Sequence, residues 1–280
     1  MSSAQQYPPA PEPLPAPVVD NHCHMDLQRH DLDVPALTPE EAMAAAAAVG
    51  VTRFVQVGCD LPSARWAVEA SARFDNVVGA VALHPNDAPL HADLDAALAE
   101  IEMLAATHDK VRAIGETGLD FFRTDESGRA AQIYSFRRHI DIAKRLDKTL
   151  QIHDRDAHWE LIDVLDSEGI PDRWVMHCFS GDVEFAKACL DRGAYLSFAG
   201  TVTFKNAPHL REALKATPKD RVLVETDAPF LTPTPYRGAP NASYLVPLTM
   251  RAMAETRSED LESLCVAVNS NTERAFGGSW

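Results

Sequence analysis

A closed barrel of eight parallel strands, each followed by a helix, is the fold this sequence predicts, and three observations predict it. Short β-rich runs alternate with Ala- and Leu-rich amphipathic stretches. The alternation repeats eight times within about 260 residues, the size and order of a (β/α)8 TIM barrel. Histidines and carboxylates recur at the C-terminal ends of the strands, the rim where such barrels carry their chemistry. A doubly wound open sheet is the alternative, but no Gly-x-Gly-x-x-Gly turn follows the first strand.

The elements can be read in order. Strands are expected near Val18–Asn21, Arg53–Gly58, Val77–Leu83, Val111–Gly115, Thr149–His153, Trp174–His177, Ala194–Phe198 and Val222–Glu225. Helices fall between them at Pro39–Val49, Pro62–Phe74, Asp93–His108, Gly128–Leu146, Ala157–Glu168, Asp182–Arg192 and Ala207–Ala216, and two more follow at Val246–Glu255 and Ser258–Ser270. Thr38 before Pro39 is an N-cap with proline at the first helical position, and Gly50, Gly169 and Gly193 stand where helices stop. No repeat or linker divides residues 18–280, which read as one domain. Residues 1–17, with prolines at 8, 9, 11, 13, 15 and 17, read as an extended or disordered leader without the basic and apolar regions of a signal peptide.

Composition narrows the function. The 280 residues are 46% hydrophobic, ample for a large core. No apolar run approaches the roughly 20 residues needed to cross a bilayer, so no membrane association is expected. The cysteines, Cys23, Cys59, Cys178, Cys189 and Cys265, form no Cys-x-x-Cys pair and read as reduced core thiols of a cytoplasmic protein. A formal net charge of -15 excludes a protein that coats nucleic acid electrostatically. It leaves room for a nuclease whose phosphate affinity comes from bound cations.

The chemistry collects at the strand ends. His22 and His24 lie two residues apart beyond the first strand, so extended backbone turns both imidazoles to one face. His84, Glu116, His153, His177 and Asp227 follow at later strand ends, and Asp26 stands beside the first pair. One histidine at a strand end is commonly hydrogen-bonded or solvated, and one carboxylate commonly caps the next helix. So many at one rim of a barrel point to metal. Imidazoles mixed with carboxylates suit Zn2+, Mn2+ or Mg2+, and some seven ligands exceed a single tetrahedral site, which favours two divalent ions sharing a carboxylate.

Six ordered motifs carry a family resemblance. His22-Cys23-His24-Met25-Asp26, Leu83-His84-Pro85, Ile114-Gly115-Glu116-Thr117-Gly118-Leu119-Asp120, Ile152-His153-Asp154-Arg155-Asp156-Ala157, His177-Cys178-Phe179-Ser180-Gly181 and Glu225-Thr226-Asp227-Ala228-Pro229 resemble the signatures of the TatD family. These are metal-dependent deoxyribonucleases among the amidohydrolase-like barrels, and the resemblance runs from about Val18 to Ala275. It implies that His22, His24 and Asp227 hold one ion and His153 and His177 the other, with Glu116 bridging. Asp227 would also accept a proton from the attacking water. The chain departs from the family at Asn86, where another histidine is frequent, and at Asn241-Ala242-Ser243, where Asn-Glu-Pro is frequent. Neither departure touches an expected ligand.

A substrate needs further contacts. Arg155 shares the parity of His153 and can present a guanidinium to a phosphate, although a surface ion pair with Asp154 or Asp156 serves it equally. Arg237 lies in the Thr232–Gly238 segment, which resembles the family's Pro-rich loop, and His84 and Ser180 are further phosphate candidates. Phe121 and Phe122 can stack a base or close the barrel mouth as core. Lys110 begins the fourth strand, on the wrong rim for a carbamylated-lysine bridge. Cys23 reads as packing, Asp26 and Asp120 as orienting groups, and His139 as structural. The leading reading is a deoxyribonuclease with DNA as substrate, weakly bound without metal, and no obligate protein partner. A hydrolase of another small phosphoester, amide or lactone is the second reading, and a non-catalytic metal-binding scaffold is the third.

Overall fold

The computed structural model of the chain describes residues 6–29 and 31–280. Eight strands, β1 (Val18–Cys23), β2 (Val51–Gly58), β3 (Val77–Val81), β4 (Val111–Asp120), β5 (Thr149–Arg155), β6 (Trp174–Met176), β7 (Tyr195–Phe198) and β8 (Val222–Val224), pair in parallel in sequence order. The helices α1 (Pro39–Ala47), α2 (Leu61–Arg73), α3 (Leu94–Ala105), α4 (Glu126–Arg145), α5 (His158–Glu168), α6 (Val183–Leu190) and α7 (Pro208–Ala216) follow the first seven strands, and α8 (Val246–Arg257) and α9 (Leu261–Ala275) follow β8. This is the (β/α)8 barrel expected.

The punctuation works as the residue types dictate. Thr38 caps α1 in a reciprocal capping box with Glu41, and Gly50, Gly169 and Gly193 take positive φ. Ser258 is a correction: it does not open the last helix but ends α8 in left-handed backbone, and Asp260 caps α9 by accepting from Ser263 N. Alternation along the strands splits the core. Phe54, Ile114 and Leu150 pack toward the helices, while Val55, Val78, Ala113 and Val175 form a second cluster on the opposite strand face.

Two features position the mouth. The first is a bulge in β4, which runs five residues past its expected end at Gly115: the register with β5 slips between Ile114 and Thr117. A Cβ at Gly115 would stand 2.5 Å from Gln151 Cβ, and one at Gly118 (φ +136) would stand 2.0 Å from the His153 carbonyl. Only glycine fits both places, and the residue between them that turns inward is Glu116. The second is the seam that closes the barrel. Asp227 N donates to His22 O and His24 N donates to Ala228 O, both at 2.9 Å. Behind them the buried Asp20 carboxylate accepts from Thr226 N and Oγ1.

The leader differs from a free tail over its described part; residues 1–5 lie outside the described residues. Leu14 is buried and donates its N–H to Val49 O, Tyr244 Oη donates to Pro8 O, and Arg251 donates to Pro13 O. The prolines present carbonyls and no N–H, so Pro8 and Pro13 bind the barrel by accepting, and Leu14 supplies the donated bond. Among the described residues no helix is long and apolar enough to cross a membrane.

Candidate metal centre

At the C-terminal end of the barrel a cavity of about 510 Å³ is lined by His24, His84, Glu116, His153, His177 and Asp227. His22 lies fully buried beneath them. The two β1 imidazoles do share one face, with their Nε2 atoms 3.1 Å apart. Glu116 stands at the centre, and its two oxygens look in different directions. Oε2 is 3.3 Å from His22 Nε2 and 4.0 Å from His24 Nε2; Oε1 is 2.7 Å from His153 Nδ1, 3.2 Å from His177 Nε2 and 3.5 Å from His84 Nε2. Asp227 Oδ1 closes the first group, 3.4 Å from His24 Nε2 and 3.7 Å from His22 Nε2.

The electrostatics follow from crowding. Burial pushes the Glu116 carboxyl up, but His177 and His84 and the hydrogen bonds from His153 and His177 outweigh it, holding the group well below the usual carboxylate range. Burial likewise raises Asp227, and His24, His177 and His22 bring it below its ordinary value. Burial lowers His22 and His84. His24 is disfavoured by burial yet raised to about 8 by Asp227 and Glu116, and His153 is raised to about 9 by Asp120 and Glu116. Without an added cation these imidazoles must carry the charge that neutralises two buried carboxylates. The donor set therefore fits a divalent ion: imidazole nitrogens and carboxylate oxygens meet within 4.8 Å in several overlapping groups.

The candidate ligands are held from behind. His24 Nδ1 lies 2.9 Å from Val57 O, a carbonyl that can only accept, so the proton sits on Nδ1 and Nε2 is left to ligate. His177 Nδ1 lies 2.8 Å from the fully buried Glu225, which also accepts from Cys178 N. Cys178 (φ 43) and Asp227 (φ 54) take left-handed backbone, a conformation costing non-glycine residues roughly 1–3 kcal/mol and tied here by Glu225 and by the seam. Asn241, the residue of the Asn241-Ala242-Ser243 segment that keeps the family's asparagine, is buried and donates to the carbonyls of Thr226 and Phe230, bracing the turn that carries Asp227.

Other expected residues fall in place with adjustments. His84, read from sequence as a phosphate contact, stands with the candidate ligands, its Nε2 3.5 Å from Glu116 Oε1 and its Nδ1 accepting from Asn86 N. Asn86 Nδ2 donates to Asp120, whose other oxygen accepts from Phe122 N and Arg123 N; Asp120 so orients His153, 3.4 Å away. Asp26 reaches His24 only indirectly, by accepting from Gln56, which in turn accepts from Met25 N. Arg155 pairs with neither neighbouring aspartate; it lines the cavity and stacks on Phe122, 62% exposed, at 3.9 Å. Phe121 packs inward under Arg129. Ser180 lines the cavity, whereas Arg237 lies outside that lining and stacks on Phe204 at 4.3 Å.

Lys110 donates to Phe74 O at the floor, Cys23 is buried with Sγ toward Val55 O, and His139 is buried between Leu83 N and Thr117 Oγ1. Reading all five cysteines as core thiols needs correcting. They are free, but Cys59 and Cys178 line the mouth. Glu225 and Cys59 were not singled out from sequence, since the role of each depends on which strand lies beside it.

Comparison with known proteins agrees with this geometry. Residues 19–277 match a family described as TatD related DNase. The chain is 44% identical over 268 residues to the uncharacterized metal-dependent hydrolase TatD of Mycobacterium tuberculosis, covering 94% of this chain and 99% of that protein. It is 39% identical over 258 residues to the uncharacterized metal-dependent hydrolase YabD of Bacillus subtilis, covering 92% and 98%. Among solved structures, the TatD homolog YjjV of Escherichia coli superposes with a TM-score of 0.85 at 26% identity, covering 94% of this chain and 98% of that one.

Proposed function

Because this chain belongs to the TatD family of metal-dependent hydrolases, we propose that it is a deoxyribonuclease that hydrolyses DNA phosphodiester bonds, at strand ends or on single strands, with two divalent cations shared across Glu116. The observation that carries this reading is the division of labour on that one carboxylate. Oε2 faces the His22, His24 and Asp227 group, and Oε1 faces the His84, His153 and His177 group. Bound there, Mg2+, Mn2+ or Zn2+ supplies Lewis acidity, neutralising charge on the phosphoryl group and lowering the pKa of an attacking water.

The chain's own residues do the rest. Asp227 is ionised at neutral pH and faces the cavity, so it can accept the proton of the attacking water. Arg155, laid flat on Phe122, offers a guanidinium to a phosphate with little side-chain freedom left to lose. Phe122 and Phe230, 62% and 43% exposed, are aromatic surfaces at the mouth on which a base can stack. Ser180 lines the same cavity, and its hydroxyl, which donates to Asp154 O at 3.3 Å in the free protein, can turn from that carbonyl to a phosphate oxygen. A chain carrying a net charge of -15 binds DNA weakly until cations are present. The five free thiols suit a reducing, cytoplasmic setting.

The test is a titration of Mg2+, Mn2+ and Zn2+ against end-labelled single- and double-stranded DNA. Cation-dependent cleavage that disappears in Glu116→Ala is expected. Intact DNA with every cation, or a Glu116→Ala enzyme as active as the original, would sink the proposal.

A further inference from the structure

We propose that Cys59 is a sulfur ligand of the metal centre and biases its β1 side toward Zn2+ over Mg2+. Cys59 directly follows β2 and lines the mouth. Its Sγ lies 3.5 Å from Glu116 Oε2, the oxygen that faces the β1 histidines. Ligand atoms of His24, Cys59 and Glu116 all fall within 4.8 Å of one another. The thiol is therefore the third corner of a group whose other corners are a 5% exposed imidazole and a 5% exposed carboxylate. The His24 corner is oriented for ligation, since Nδ1 donates to Val57 O and Nε2 is the ring atom that faces the centre.

The position of the sulfur is fixed from both sides. Cys59 N donates to Ser63 Oγ at 2.9 Å, and Cys59 O accepts from His84 N at 2.7 Å, tying it to α2 and to the loop that carries another member of the centre. A Cβ at Gly58 would meet Ala64 Cα at 2.4 Å, so α2 packs against bare backbone just before the cysteine. On ligation the S–H bond breaks, the proton leaves to solvent and the sulfur electron pair goes to the cation. Thiolate is a strong donor to Zn2+ and a poor one to Mg2+, which takes oxygen. Serving only as a hydrogen-bond donor to Glu116, the same thiol would leave metal preference untouched.

The inference rests on the metal-binding part of the proposed function and not on DNA being the substrate. Its test is a Co2+ titration of the metal-free full-length protein, followed by absorbance. The original protein and Cys178→Ala should show the near-ultraviolet thiolate-to-cobalt charge-transfer band, and Cys59→Ala should lack it. Cys59→Ser keeps a hydroxyl to donate to Glu116 but removes the sulfur. It should lose Zn2+ affinity by about tenfold or more while Mg2+ affinity stays the same. Cobalt bound without the sulfur band, a band that survives Cys59→Ala, or unchanged Zn2+ affinity in Cys59→Ser overturns the assignment and leaves the nuclease reading intact. Failure of any divalent ion to bind overturns both.

Discussion

At the floor of the barrel the charges are spread among separate polar partners, and at the mouth two carboxylates and five imidazoles are crowded on one another. Arg53 donates to Asn269 and Glu273 and stacks on Trp280, and Arg112 donates to the carbonyls of Phe276, Gly278 and Ser279 beside the same ring. Those groups are satisfied by folding alone. At the mouth, Glu116 and Asp227 face five imidazoles within 4.0 Å. Both ends belong to one barrel, yet one is complete as folded and the other calls for a ligand. Damage at the floor should therefore cost stability, and damage at the mouth should cost function.

The largest effect that can break this contrast is at Glu116. Glu116→Gln keeps the shape and removes the charge, and should lower kcat/KM for DNA by about 10³-fold or more, measured at saturating Mn2+. Next comes Glu225→Gln, which touches no solvent and leaves the candidate ligands in place but replaces the carboxyl group behind His177 by an amide. Its expected cost is about 10–100-fold in metal affinity, read by competition with a chromophoric chelator. Arg112→Ala tests the opposite end: about 1–2 kcal/mol of stability should be lost in urea unfolding, with kcat and KM unchanged.

The smallest effect separates scaffold titration from site titration. Burial lowers the His139 pKa to about 3, so the folded protein keeps this ring neutral. The unfolded chain takes up its proton near 6.5, so the stabilising term is full above that pH and is lost progressively as pH falls toward 3. Between pH 7 and 5.5 the loss is about 1 kcal/mol. Urea unfolding of metal-free protein at both pH values should show a correspondingly smaller drop in His139→Gln. An equal drop in both proteins would place that pH dependence elsewhere.

The fold and the clustering of the candidate ligands were legible in the sequence for the same reason: both are written in local patterns. Strand alternation, Thr38 and the positive-φ glycines set the elements, and parity alone turned His22 and His24 to one face. Relations between strands were not legible. Gly115 reads as a strand end until the His153 carbonyl stands where a side chain at Gly118 would go. Glu225 reads as the end of β8 until β6 brings His177 beside it. The proline-rich leader looks unable to pack because its composition says nothing of Val49, Tyr244 and Arg251 offering it partners. Arg237 reads as a substrate contact by its loop, and only the fold shows the ring of Phe204 beneath it.

The seam carries a consequence for the barrel as a whole. β8 meets β1 through the main chain of His22, His24, Asp227 and Ala228, and three of those four residues also point side chains at the metal centre. The hoop is thus fastened by residues of the proposed centre, so an ion held there would couple its release to hoop opening. A cation that binds only the closed form at a hundred times its Kd adds about 2.7 kcal/mol to closure. The clasp is as strong as the supply of metal around it.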